Sequence, residues 1–387
     1  MNACTVDVVV VGGGLAGCSA AIALARAGFS VALYEAKTYP HDKVCGEFLS
    51  PEAEYFLGRL GVLPAIERQN PARIGRARIV APSGAQWTGA FRRAGFGLSR
   101  HALDATLADS ARAAGVALFE RSPVSDVTGS LDDGFVVRAR TPEGVHEVRA
   151  RAVVGAYGKR GSLDRTLRRD SLDVRTPFVG LKAHFAGPTP GDSVDLFTFP
   201  GGYCGLSEVE GRRVNVCLLV HQDVFQRQAG HPAEIERFVA WMARQNPRLG
   251  DWLLHSRRIS AEWLSISQVS FASKAAVERD VLMAGDTAGL IAPLAGDGMS
   301  MALHGGLMAA DWLTRFLRSQ VDAHAVRAGY GADWQRAFAG RLRLGRRLQA
   351  VLLRPRLLEA GLAALNLAPA LGDYFVTHTR DTHFASP

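Results

Sequence analysis

Val6-Asp7-Val8-Val9-Val10-Val11-Gly12-Gly13-Gly14-Leu15-Ala16-Gly17 is the stretch on which the fold turns. Its β-branched run, broken only by Asp7, fits a strand buried on both faces. The glycines follow at once, and an alanine-rich helical pattern runs from Leu15 to Ala27, closed by Gly28. Phe29–Tyr34 reads as a second strand that ends at Glu35. Strand, glycine turn, helix and strand make a βαβ unit, the context that gives a G-x-G-x-x-G spacing its meaning. Gly12 permits the tight turn, Gly14 lets a pyrophosphate approach the backbone, and Gly17 lets helix and strand pack closely. The helix start at Leu15 and Ala16 offers free N–H groups and a positive dipole end to phosphates. Glu35 stands where ribose hydroxyls are expected, with Ala36 and Lys37 beside it. A dinucleotide follows from this unit; the choice between FAD and NAD does not.

Outward from that unit, the chain has 387 residues, 48% hydrophobic and 21% charged, enough for a large core and too apolar for a disordered protein. Its 41 glycines cluster, which excludes a collagen repeat. Lys and Arg total 45 against 37 acidic residues, for a formal charge of +8. That balance admits nucleic acid, an anionic membrane or an acidic cofactor. Cys4, Cys18, Cys45, Cys204 and Cys217 are widely spaced with no C-x-x-C pair, which fits a reducing compartment and gives no zinc signature. The histidines are scattered without metal-ligand spacing, so no metal is expected. The opening lacks a basic region before its apolar run. The apolar stretches Val281–Ala310 and Ala360–Leu371 are interrupted by Asp, Gly or Pro. A cytoplasmic protein is expected, with peripheral membrane contact left open by the tail.

The remaining pattern predicts a helix over Pro51–Leu60, short strands around Ile74–Val80 and Trp87–Phe91, and a helix over His101–Ala114. Val116–Val148 reads as strands with turns, Ala152–Val154 as a buried strand, and Phe178–Val220 as an antiparallel sheet. From Asp311 the chain reads as mostly helical. The expected fold is mixed α/β: a Rossmann-like dinucleotide domain (1–75, 95–170, 275–320), interleaved with an antiparallel-sheet substrate domain (76–94, 171–274), plus a helical C-terminal region (321–387).

Three further motifs choose the cofactor by resemblance. Val281-Leu-Met-Ala-Gly285-Asp286-Thr-Ala-Gly289, followed by Pro293 and Gly296-Asp297-Gly298-Met299, resembles the second flavin motif of the FAD-dependent aromatic hydroxylase superfamily, the group of p-hydroxybenzoate hydroxylase. The resemblance implies FAD, with Asp286 on the ribitol chain and Gly298 and Met299 near the pyrimidine edge. Arg100, opening a helix in Leu98-Ser-Arg100-His-Ala-Leu-Asp104, resembles the family's FAD-contacting arginine. Val153-Val-Gly155-Ala156-Tyr157-Gly158, with Ser162, is similar to the middle motif, but Tyr157 stands where the family has an acidic residue. No second complete G-x-G-x-x-G is present, so a separate NADPH domain is not expected.

Lys43-Val-Cys45-Gly46-Glu47 with Pro51 looks like the geranylgeranyl reductase branch of the superfamily. That branch implies Cys45 beside flavin or substrate, Lys43 offsetting charge on reduced flavin, and Glu47 or Cys45 as proton donor. Cys45 reads equally well as a small buried hydrophobe. In Phe197-Thr-Phe199-Pro200-Gly201-Gly202-Tyr203, the branch's aromatic motif lacks its tryptophan; Phe199 and Tyr203 are pocket-wall or sheet-packing residues. Gly296-Asp297-Gly298-Met299 leans toward the hydroxylases. His304, beside the second motif, reads as structural.

Arg341–Ala360 holds six arginines and one glutamate among leucines. Such a stretch lies on an anionic membrane or packs on the body with a solvated face, the latter favoured. Its charge clusters in the tail, which argues against a nucleic-acid face. The resemblance implies a single-component FAD oxidoreductase with NAD(P)H as reductant and a hydrophobic small-molecule substrate. Monooxygenation through a flavin C4a-hydroperoxide leads, and C=C reduction of a prenyl, lipid or polyketide-type substrate is the alternative. A flavin halogenase is disfavoured for want of a paired-tryptophan motif. A membrane-surface dinucleotide-binding protein without catalysis is the reading from another class.

Overall fold

A computed structural model describes residues 4–159, 161–169, 177–269, 271, 274–368 and 370–372. The end of the expected helical tail, 373–387, lies outside the described residues, as does the side chain of Ser162.

The βαβ unit is β1 (Cys4–Val11), α1 (Leu15–Arg26) and β2 (Val31–Tyr34). A two-residue strand β3 (Phe48–Leu49) leads to α2 (Glu52–Arg59), α3 (Leu63–Glu67) and the strands β4 (Ala72–Val80) and β5 (Gln86–Gly97). Helix α4 (Arg100–Ala113) returns the chain to β6 (Ala117–Phe119), β7 (Val124–Ser130), β8 (Gly134–Thr141) and β9 (Gly144–Gly155). After α5 (Ser162–Thr166) come β10 (Phe178–Ala186), β11 (Ser193–Phe199), β12 (Gly202–Val209) and β13 (Arg213–His221). Helices α6 (Gln222–Ala229), α7 (Ile235–Gln245) and α8 (Pro247–Leu254) precede the short strands β14 (Arg257–Arg258) and β15 (Leu264–Ile266). The chain then adds β16 (Val277–Glu278) and β17 (Val281–Met283), and closes with α9 (Gly298–Leu317), α10 (Ala323–Leu352) and α11 (Pro355–Leu367).

Two sheets organise these elements. The first runs β16-β17-β9-β1-β2-β6, with β1 parallel to both β2 and β9, and with the β7–β8 hairpin attached to β9. Val8, Val9 and Val10 are fully buried, as a central parallel strand covered on both faces requires. The second sheet runs β14-β10-β13-β12-β11-β4-β5-β3 and is antiparallel except where β11 meets β4. It takes Phe48–Leu49 and starts β4 at Ala72, ahead of the boundary expected at 76. The chain is a mixed α/β protein in which a Rossmann-like unit and an antiparallel sheet interleave, with helices at the C-terminal end.

Small residues bring the two ends of the chain together. Gly306 in α9 lies so close to α1 that a Cβ there would sit 2.2 Å from the Ala16 carbonyl oxygen. Ser19 of α1 donates to the Leu303 carbonyl at 2.8 Å, and a Cβ on Gly285 would stand 3.0 Å from that of Ala16. The first and second glycine motifs are therefore adjacent in space.

Candidate active site

The site begins at the glycine turn. Gly12 has φ +100°, and a Cβ there would lie 2.4 Å from the Ala156 carbonyl oxygen. A Cβ on Gly17 would stand 1.8 Å from the Gly12 carbonyl oxygen, so both positions accept only glycine. Gly14 differs: its open side is met only at 3.7 Å by Lys43 Nζ and at 3.8 Å by Arg100 Nη2. An open backbone at a helix start beneath two cations is a cradle for a pyrophosphate. Leu15 and Ala16 are buried in the first turn of α1.

Asp104 anchors those cations. It is fully buried and accepts from Lys43 Nζ at 2.7 Å and from Arg100 Nε and Nη2 at 2.7 and 2.8 Å. Burial alone would raise its pKa; the Arg100 and Lys43 charges outweigh that and hold the carboxyl below its usual range. The same pairing outweighs the desolvation of Arg100 and keeps the guanidinium charged. Lys43, expected at the chemistry, thus stands over Gly14 with Arg100.

Glu35 is buried; it accepts from the Gly13 N–H at 2.8 Å and the Lys37 N–H at 3.0 Å, while Ala36 is exposed beside it. The Tyr39 hydroxyl donates to the Gly13 carbonyl, closing the turn from above. At the other end, Asp286 follows Gly285 in a short 3₁₀ turn, and Lys274 Nζ donates to the Asp286 carbonyl at 3.2 Å. Pro293 opens a second 3₁₀ turn, and Gly296 (φ +65°) packs on Phe48, whose ring would stand 2.8 Å from a Cβ there. Gly298 and Met299 start α9. The Cys45–Phe48 segment and the Pro293–Gly298 loop therefore face one another.

The middle motif is occupied by structure. Tyr157 donates to Asp164 at 2.9 Å, Arg169 holds Asp164 at 3.2 Å and the Thr287 carbonyl at 3.0 Å, and Thr287 accepts from the Gly158 N–H at 2.8 Å. This turn is committed to bracing the second motif.

Glu47 occupies the centre of a cluster that the sequence does not reveal. It is fully buried at φ +55°, a left-handed backbone that costs a non-glycine residue about 1 kcal/mol or more. Its carboxylate accepts from Lys182 Nζ at 3.0 Å, from the Arg100 N–H at 2.8 Å, and lies 2.6 Å from His184 Nε2. Lys182 also donates to Asp42 at 2.6 Å, whose carboxyl stays below its usual range because that pairing outweighs its desolvation. Asp42, Glu47 and His184 have the mutual spacing of a metal-ligand set. The Lys182 ammonium, bonded to both carboxylates, already supplies a cation there. Lys182 and His184 alternate with Leu181, Ala183 and Phe185 along β10; the latter three join the core under α6–α8. Two polar residues at period two in an apolar strand were the available sign.

The inner face of the second sheet holds the Cys45 loop. Asn215 donates to the Cys45 carbonyl at 3.1 Å and Ser207 to the Gly46 carbonyl at 2.8 Å. Cys45 is partly exposed, and burial pushes the Cys217 thiol up to about 12. Tyr203, on this face opposite Leu219, belongs to an apolar cluster with Leu290, Leu352, Leu358 and Leu362. Burial raises its hydroxyl well above the usual tyrosine range. Phe199 is not with it: it points to the other face, edge-on to Phe238 and Trp241 at ring distances of 6.1 and 6.0 Å. The reason is strand alternation, which puts Phe197 and Phe199 under the helices. His304 packs between Phe56 and Phe338.

Residues 5–187 match the family described as FAD binding domain. Across 86% of its length the chain is 22% identical to tryptophan 2-halogenase from Chondromyces crocatus, covering 65% of that protein. It is 26% identical over 91% of its length to menaquinone reductase from Mycolicibacterium smegmatis, covering 86% of that chain. Among solved structures it resembles CmlS, a flavin-dependent halogenase, with a TM-score of 0.78 and 24% identity over 88% of this chain and 63% of that one. The chain thus spans just under two thirds of the length of these two halogenases.

Proposed function

We propose, for a chain whose residues 5–187 match the FAD binding domain family, a single-component monooxygenase that hydroxylates or epoxidises a lipophilic small molecule, with NAD(P)H as reductant. Bound FAD would supply the activation of O₂ that no side chain provides. The chain's own residues hold and shield it. Gly12–Gly17 and the start of α1 take the pyrophosphate under Lys43 and Arg100, Glu35 the ribose, and Asp286 the ribitol. The cluster around Tyr203 excludes water and receives an apolar substrate.

The observation that favours oxygenation over C=C reduction is the placement of Glu47. A reductase must deliver a proton along with each hydride, and Glu47 is the nearest acid in the Lys43–Glu47 motif. Both Glu47 oxygens are engaged, one by the Lys182 ammonium and the Arg100 N–H and the other by the His184 ring, and the side chain is fully buried, so neither oxygen is free to serve a substrate. Oxygen insertion makes no such demand on this position. The second reading, a C=C reductase, is favoured by Cys45, which lies partly open against the sheet's inner face.

The test is turnover of long-chain alkyl and alkenyl phenols by the flavin-loaded protein with NADPH or NADH under ¹⁸O₂, followed by mass spectrometry. Incorporation of one labelled oxygen per product is expected. Gain of two hydrogens without oxygen under anaerobic conditions would replace oxygenation with reduction. A halogenated product that depends on added halide would replace both.

A further inference from the structure

Arg341–Ala360 is not one helix. The chain breaks at Leu353–Arg354, ahead of Pro355, and Arg341 turns inward to donate to Asp297 at 2.6 Å. The remaining arginines, Arg343, Arg346, Arg347, Arg354 and Arg356, stay exposed around the α10–α11 corner. Glu359 is the only acidic residue between 341 and 372.

Helix α11 has two apolar faces. Its inner face buries Leu358 and Leu362 in the cluster that includes Tyr203. Its outer face shows Leu357, 47% exposed, and Leu367, 86% exposed, with Ala360, Ala363 and Ala364 between them. Eight large hydrophobic side chains are exposed among the described residues, and four of them (Val351, Leu357, Leu367, Leu371) fall in this one segment. Such a concentration of exposed apolar side chains marks an interaction surface.

We propose that the outer face of α11 docks on an anionic lipid bilayer, with the helix lying in the interface plane and the five exposed arginines at the headgroups. Charge selects the partner. Each arginine near an anionic surface contributes about 1 kcal/mol, while the leucines enter the headgroup–acyl boundary. The inner face of the same helix covers the Tyr203 cluster, so docking sets that cluster about one helix diameter, roughly 10 Å, from the lipid. The docking does not depend on which reaction the site performs. No helix among the described residues is long and apolar enough to cross a membrane, so the attachment is peripheral for this part of the chain.

The experiment is flotation of the full-length, flavin-loaded protein with vesicles of phosphatidylcholine alone or mixed with phosphatidylglycerol. Binding to the mixed vesicles only, weakened by added salt, is expected. Leu357→Asn with Leu367→Asn should lower that binding about tenfold or more, as should Arg354→Glu with Arg356→Glu. Flavin content and circular dichroism of the variants separate this from loss of fold. Failure to bind phosphatidylglycerol vesicles, or binding by both double variants as tight as the parent's, overturns the proposal. A dimer in solution that Leu367→Asn dissociates would also overturn it, by assigning the face to a second copy.

Discussion

A methyl group separates the two tasks of the glycine turn. At Gly17 an added Cβ would collide with the Gly12 carbonyl at 1.8 Å, so Gly17→Ala strikes the packing of α1 on β1 and should cost several kcal/mol. At Gly14 nothing stands closer than 3.7 Å and φ is −78°, so Gly14→Ala should leave the apoprotein within about 0.5 kcal/mol of the parent. The same methyl would occupy the space where a pyrophosphate meets the backbone, and FAD affinity should fall about tenfold or more, or at least about 1.4 kcal/mol. Thermal melts of the apoproteins, paired with fluorescence titration by FAD, separate the effects. Gly14→Ala binding FAD as tightly as the parent would remove the pyrophosphate from this cradle. These glycines were legible because their task is local: the spacing alone implies the turn. Lys43 was legible as a functional residue but not in its place, since its position over Gly14 is set by Asp104 on α4. The i,i+4 spacing of Arg100 and Asp104 was a readable sign of that anchor. Lys182 and His184 reach Glu47 from a strand more than a hundred residues away, and no local pattern encodes that meeting.

At the scale of elements, the joint between α9 and α10 rests on a buried ion pair. Asp297, fully buried just before α9, accepts from Arg341 of α10 at 2.6 Å and from Ser50 at 3.0 Å; Ser50 in turn meets Ser300 at 2.6 Å. The sequence shows Asp297 inside a glycine motif and Arg341 inside a basic stretch, where periodicity cannot tell an inward guanidinium from its exposed neighbours. Breaking such a pair leaves a buried charge uncompensated, which costs about 3–5 kcal/mol, whereas replacing both partners by neutral groups costs far less. Arg341→Met should therefore destabilise by that amount in urea denaturation and lower flavin content, because Asp297 adjoins the Gly298–Met299 turn. Adding Asp297→Asn should recover more than half of the lost stability. Additive losses in the double variant would show that the two helices are not coupled through this bond.

Across the whole molecule, the elements that periodicity revealed are the ones whose partners lie nearby in sequence: the βαβ unit, the β7–β9 meander and the β10–β13 antiparallel run. The joins between remote segments were not readable residue by residue. β11 pairs in parallel with β4, and Gly285 abuts Ala16, through contacts that follow from sheet closure and small side chains. Those joins define the proposed cofactor cradle, which takes one wall from residues 12–17 and another from 285–299. A ligand spanning both walls binds only the assembled protein, so it stabilises the whole chain by RT ln(1 + [L]/Kd), about 2.7 kcal/mol at a hundredfold excess over Kd. Deflavinated protein should thus melt several degrees lower than the holoprotein, and its Tm should rise with the logarithm of added FAD. NAD, which lacks the isoalloxazine that the second wall would hold, should raise it much less. Differential scanning fluorimetry with an extrinsic dye reads both series. A Tm that ignores FAD would remove FAD from this cradle, whereas one that responds equally to NAD would mean that the 285–299 wall takes no part in binding and that the βαβ unit alone is the site.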